Sequence, residues 1–210
     1  MSSVGAFCSV FFVAPSVVAE PPKATPTVDD GAYGRLDGDV ALDLSLGTRL
    51  ALSPPDPAAF NARLGALYVA TVGTFVSLDR GAHAHDKLGT SLGVEVRPLF
   101  IPRFVSAGQT GPAWLDLVID SFSLALASRW VGNHSAALEL STGVELPLFA
   151  AYAGPLIAVR LSQVLGQSSL RGGDPHDRQT GVDGTFLSIS FGWRASFSTH
   201  IVDARDKNIP

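Results

Sequence analysis

Large apolar residues alternate with small or polar ones along most of this chain. The clearest run is Thr185 to Phe197, TFLSISFGWRASF, where Leu187, Ile189, Phe191, Trp193 and Phe197 fall on one face and Ser188, Ser190, Gly192, Arg194 and Ser196 on the other. Side chains in a strand alternate faces with period two, so this pattern predicts a strand with one greasy, aromatic face and one small, hydroxylated, singly charged face. Leu36 to Leu46 repeats it, with Leu36, Val40, Leu42, Leu44 and Leu46 against Asp37, Asp39, Ala41, Asp43 and Ser45. Asp37-Gly38 also suits a tight turn that would split the segment.

The same alternation continues downstream. Phe60 to Leu78 sets Leu64, Ala66, Tyr68, Ala70, Val72 and Val76 against Arg63, Gly65, Thr71, Gly73 and Ser77, although Leu67, Val69 and Phe75 blur it. Leu88 to Val96 carries Leu92 and Val94 against Ser91, Gly93, Glu95 and then Arg97. Phe122 to Trp130, Ala136 to Leu146, and Ile157 to Leu161 extend the series, placing Arg129, Glu139, Glu145 and Arg160 on polar faces. Between them, Pro98 and Pro102 bar a central strand position, and Leu115, Val118, Ile119 and Phe122 lie opposite Asp116 and Asp120 at helical spacing. Pro112 sits where a proline opens a helix, so one short helix is predicted near 113–120. Gly166 to Gly184 is polar, glycine-rich and without period, and reads as the longest loop.

Seven strands of about ten residues result, the length a tilted membrane-crossing strand needs. No uninterrupted apolar run reaches about 18 residues, which excludes a helical span. Two-faced strands admit a soluble sheet with its greasy face on a core, or a transmembrane barrel with its greasy face outward. The polar faces decide between them: they hold no lysine, but they do hold Asp37, Asp39, Asp43, Glu95, Glu139 and Glu145 with Arg63, Arg97, Arg129, Arg160 and Arg194. A small closed barrel has little interior room, so small residues and charges that can pair suit it, with arginine favoured for its planar fork. Tyr68, Trp130, Phe191, Trp193 and Phe197 on the apolar faces match the aromatic girdles of such barrels.

Composition agrees with one domain of this kind. The 210 residues are 46% apolar and only 16% charged, with 21 glycines and 14 prolines, a mean hydropathy of +0.27 and a net charge of −4. Basic residues are neither in excess nor clustered, so no nucleic-acid partner is expected. Val4 to Ala19 is an apolar run ending in Val17-Val18-Ala19, like a signal peptide cut before Glu20, although no Lys or Arg precedes it. The expected organisation is a signal peptide at 1–19, a Pro-rich linker at 20–35, the barrel at 36–198 and a tail at 199–210. Cys8 is the only cysteine and lies in the apolar run, so no disulfide is expected in the mature chain.

The pattern from Leu36 to Phe197 resembles the small eight-stranded outer-membrane β-barrels of Gram-negative bacteria, of the OmpA-like kind. Its most specific part is FLSISFGWRASF, where Phe191, Trp193 and Phe197 resemble the C-terminal signal read by the barrel-assembly machinery. The chain departs from that family by continuing to Pro210 and by showing seven strands where the count should be even. An eighth strand is expected in Pro98 to Val105 or from a division of Leu36 to Leu52. The resemblance implies an all-β, closed, antiparallel up-and-down transmembrane barrel in the cell outer membrane. Its partners would be outer-membrane lipid, lipopolysaccharide and the assembly machinery, and it would be a monomer without a cofactor.

Other chemistry is weaker. His83-Ala84-His85-Asp86 offers two imidazoles and a carboxylate, but a loop with no visible third ligand is usually only solvated. His134 and Ser135 with Glu139 contain the residue types of a nucleophilic hydrolase, and some small barrels deacylate lipid A; adjacent strand residues point opposite ways, however. No metal site is therefore expected, nor a catalytic residue. The expected role is structural or interactive, with a lipocalin-like small-ligand barrel and a lipid-modifying enzyme as alternatives.

Overall fold

The computed structural model describes residues 33–36, 38–52, 58–81, 88–132, 136–166 and 184–199. Eight strands run up and down: β1 (Val40–Ala51), β2 (Ala59–Tyr68), β3 (Val72–Gly81), β4 (Leu88–Val96), β5 (Ser123–Val131), β6 (Ala137–Pro147), β7 (Gly154–Leu165) and β8 (Gly184–Phe197). Each pairs antiparallel with the next, and β8 returns to β1 over Val40↔Phe197 to Ala51↔Phe186, so the sheet closes into a barrel with no free edge. Among the described residues no helix is long and apolar enough to cross a membrane, a fact that leaves strands untouched.

The eighth strand comes from neither expected place. Phe60 to Leu78 is two strands, β2 and β3, paired from Tyr68↔Val72 onward around the turn Val69 to Thr71. Three turn residues bring the chain back with its parity unchanged, so residues of one parity stay outward on both sides of the bend and the alternation reads as one strand. No glycine, proline or asparagine marks the bend. Val69 and Ala70 adopt positive φ of 46° and 54°, a region branched and Cβ-bearing residues rarely enter. The Thr71 hydroxyl donates to the carbonyls of Val69 at 2.9 Å and Tyr68 at 3.2 Å, and its N–H donates to Tyr68 O, which holds the strained turn.

Pro98 to Val105 is not a strand either. It contains a second helix that the sequence did not suggest, α1 (Phe100–Val105), followed by α2 (Ala113–Asp120) at the expected place. β1 begins at Val40, not Leu36, and runs on to Ala51. The β2–β3 turn, the helical β4–β5 connection, the β6–β7 turn, the start of β1 and the end of β8 lie at one mouth of the barrel, the chain-end mouth; β1 ends and β8 begins at the opposite mouth. The polar side of every strand faces in and the apolar side out: Leu42, Leu44, Leu64, Leu92, Leu126 and Phe191 are exposed, while Asp43, Ser45, Arg63, Ser91, Arg129 and Ser190 are buried.

Candidate functional site

The inward faces assemble two ionic clusters, stacked along the barrel. Toward the mouth farther from the chain ends, Arg129 makes a two-pronged contact with Asp79, donating from Nη1 and Nη2 at 2.7 Å each. Arg49 lies 3.0 Å from Glu139, which also accepts from the Ser91 hydroxyl at 2.6 Å. Phe186 lies beneath the Arg49 guanidinium, 4.3 Å from ring centre to Cζ. Gly89 sits opposite Asp79 in the β3–β4 register. A Cβ there would come within 2.5 Å of Asp79 Oδ2 and 2.7 Å of Arg129 Nη2, so the missing side chain is the space in which the pair meets.

The second cluster is centred on two glutamates. Glu95 accepts from Arg63, and from Arg97 Nε and Nη2 at 3.0 Å each. Glu145 accepts from Arg97 at 2.7 Å, from Arg160 at 3.2 Å and from Arg194. One carboxylate thus ties β6 to the end of β4, to β7 and to β8. Asp43 is buried beside them, in register with Arg194 on one side and Gly65 on the other. The Arg63 guanidinium covers the Phe75 ring at 3.4 Å.

A third polar group caps the mouth nearer the chain ends, and it is built by α1, α2 and the segment 33–36. Asp116 Oδ1 accepts from Arg103 at 2.6 Å and from the Thr110 N–H and hydroxyl at 2.8 Å each; its Oδ2 accepts from Tyr33 at 2.9 Å. Asp120 is held by Arg35 at 3.0 Å and Arg103 at 2.5 Å. Arg35 in turn stacks over Phe100 at 4.7 Å. Between this cap and the second cluster lies a cavity of about 20 Å³ bordered by Arg35, Arg97, Tyr152 and Arg194, space for one water.

Burial alone would raise the Asp116 carboxyl, but the Thr110 bonds, Arg103 and Tyr33 outweigh it and hold it down at about 2, below its ordinary 3.8. A depressed carboxylate stabilises the fold above its unfolded value, and that contribution disappears as pH falls through 3.8 toward about 2. Asp116→Asn is therefore expected to cost about 2 kcal/mol at pH 6, and next to nothing near pH 2. Chemical unfolding of both proteins across that range measures the converging difference.

Asp43, Arg63, Glu95, Arg97, Arg129, Glu139, Glu145, Arg160 and Arg194 all lie in the two clusters. Asp39 does not: it precedes β1 at the mouth, half-buried, where it accepts from the Thr199 N–H at 2.5 Å and from the Thr199 hydroxyl. The alternation predicts a strand from Leu36 with Asp39 on its inward face; β1 begins only at Val40, which leaves Asp39 outside the two clusters. Asp37, His83 to Asp86, His134 and Ser135 lie outside the described residues. Among the described residues no group of three potential metal ligands occurs.

Sequence reasoning missed Arg49 and Asp79, although each continues the inward parity of its strand, after Ser45 and Ser77. It also missed Arg35, Arg103, Asp116 and Asp120 as partners, because Arg35 comes from a segment far away in the chain and Arg103 from α1, a helix that the alternation does not show.

No family model matches this chain, and no curated protein matches it. Three chains of known structure do. One is the crystal structure of Neisserial surface protein A, which aligns over 75% of this chain and 96% of that one at 14% identity, with a TM-score of 0.35. So distant a likeness carries no functional statement, and the barrel rests on its own strand pairing.

Proposed function

We propose that this chain is an integral outer-membrane β-barrel with a structural or interaction role, closed to ions by its own interior. The carrying observation is that the barrel is inside out relative to a water-soluble protein. Exposed leucine, valine, isoleucine and aromatic side chains surround it, and among the described strand residues the only charge facing outward is Arg80, near one rim. Monomeric soluble proteins rarely expose continuous apolar surface beyond a few hundred Å². In a bilayer the same surface needs no cover, and the closed sheet leaves no unpaired backbone edge in the hydrocarbon. Phe60 and Trp130 toward one rim, with Tyr68, Trp193 and Phe197 toward the other, stand where interfacial aromatics belong.

The packed ionic interior does not favour the lipocalin-like alternative, which needs an apolar cavity. A hydrolase built on Glu139 is not favoured either, since that carboxylate is already held by Arg49 and Ser91. The partners in this reading are outer-membrane lipid and lipopolysaccharide, with Phe191, Trp193 and Phe197 on the closing strand as the feature read by the assembly machinery. The protein is expected to leave membranes only with detergent, and to migrate differently on gels before and after boiling. Planar bilayers should show no steady conductance. Recovery in the soluble fraction with mobility insensitive to boiling would refute membrane insertion, and porin-scale conductance would refute the closed interior.

A further inference from the structure

We infer that the β4–β5 connection and the β6–β7 turn together form an apolar foot seated in the lipid interface at the chain-end mouth of the barrel. This rests on the membrane reading above and adds a second lipid-contacting surface beyond the strands. The orientation of α2 carries it. Asp116, Leu117 and Asp120 form the buried side of this helix, Leu117 in the core cluster with Phe100 and Tyr152 and the two carboxylates against Arg35 and Arg103, whereas Trp114 and Leu115 are exposed and Val118 and Ile119 only partly covered. An amphipathic helix packed on a protein in water turns its apolar stripe inward and its charges out. Here the charges face in and much of the apolar stripe faces out, the same inversion as in the strands.

Neighbouring segments enlarge the surface. Ile101 and Val105 project from α1, Val105 with 80% of its surface exposed, and Leu148 and Phe149 project from the β6–β7 turn. The Trp114 indole N–H donates to the Pro147 carbonyl at 2.8 Å, which joins α2 to the β6–β7 turn and satisfies the one polar atom of the ring. At its other end α2 is fixed to β6, because the Ser121 hydroxyl accepts from the Glu145 N–H at 2.8 Å and donates to the Glu145 carbonyl at 3.0 Å. The patch therefore continues the outward apolar band of the barrel at its rim and cannot swing away from it. That continuity identifies the occupant as the headgroup–acyl boundary of the adjoining leaflet, where interfacial helices lie about 5–10 Å deep. Arg103 is already engaged by Asp116 and Asp120, so headgroup charge should matter little.

The test uses the full chain refolded into phosphatidylcholine vesicles in two single-tryptophan forms. Trp130→Phe with Trp193→Phe leaves Trp114; Trp114→Phe with Trp130→Phe leaves Trp193 on the barrel wall. Trp114 emission is expected to be strongly quenched by lipid labelled near the glycerol, little by lipid labelled deep in the chain, and little by aqueous iodide, with no change on adding anionic lipid. Should Trp193 be quenched by lipid while Trp114 is open to iodide, the foot is in water and the inference fails although the barrel reading stands. Quenching of neither by lipid overturns both, and a Trp114 shielded from lipid and iodide alike means that protein covers the patch, which also overturns the inference. Where the double variants do not fold, Val105→Cys in a Cys8→Ser background, carrying an environment-sensitive dye, gives the same readout: blue-shifted emission supports the foot and water-like emission overturns it.

Discussion

Replacing Glu145 with alanine is expected to lower the unfolding free energy by about 3–5 kcal/mol, the range for removing one partner from a buried ionic group. Glu145 is the only carboxylate within ion-pair distance of both Arg160 and Arg194 among the described residues, and it shares Arg97 with Glu95. Its loss leaves guanidinium groups in a confined interior with too few acceptors. The cost arises from stranded charge and not from lost attraction, so a second change should relieve it: Arg194→Met in the Glu145→Ala background should recover part of the stability. Urea unfolding in lipid vesicles, followed by tryptophan emission, measures all three proteins. A cost under about 1 kcal/mol for Glu145→Ala would mean that water enters freely enough to replace the carboxylate.

Changing Leu92 to arginine tests the opposite face and is expected to cost about 2–4 kcal/mol in a bilayer. Leu92 is at the middle of β4, paired with Val76 and Ser128, and points outward. Leu88 is on the same face at the strand end, directly opposite Arg80, where an arginine already stands. Leu88→Arg should therefore cost about 0–1 kcal/mol, since the penalty falls toward the interface. The depth dependence is the informative part. Equal costs at both positions would show that the outer face is not crossing hydrocarbon.

Much of the barrel was legible because period-two alternation fixes which residues share a face without any knowledge of the neighbours. It served least where the chain turns without changing parity, as at Val69 to Thr71, where two strands passed for one. Large inward residues also confused it: Leu67 and Phe75 break the rule that inward means small, yet both are buried, Phe75 under Arg63. The helical insert shows the limit in another form. The two faces of α2 were readable from Leu115, Val118 and Ile119 against Asp116 and Asp120, but which face turns to the protein depends on Arg35, far away in sequence, and on Arg103 in a helix that the pattern does not show. Pairing within the interior was illegible for the same reason. Residue types named the candidates, while the register of eight strands decided that Arg129 meets Asp79 and that three arginines converge on Glu145.

The inverted arrangement of faces is the central claim, and β8 offers its most direct measurement. Spin labels placed one at a time from Leu187 to Ala195, in a Cys8→Ser background and in lipid vesicles, report whether each position meets hydrocarbon. Labels at 187, 189, 191, 193 and 195 should be relaxed by dissolved oxygen and shielded from a water-soluble nickel complex, while those at 188, 190, 192 and 194 should be immobilised and reached poorly by either. Odd positions open to the nickel complex, or accessibility without a period of two, would contradict the account.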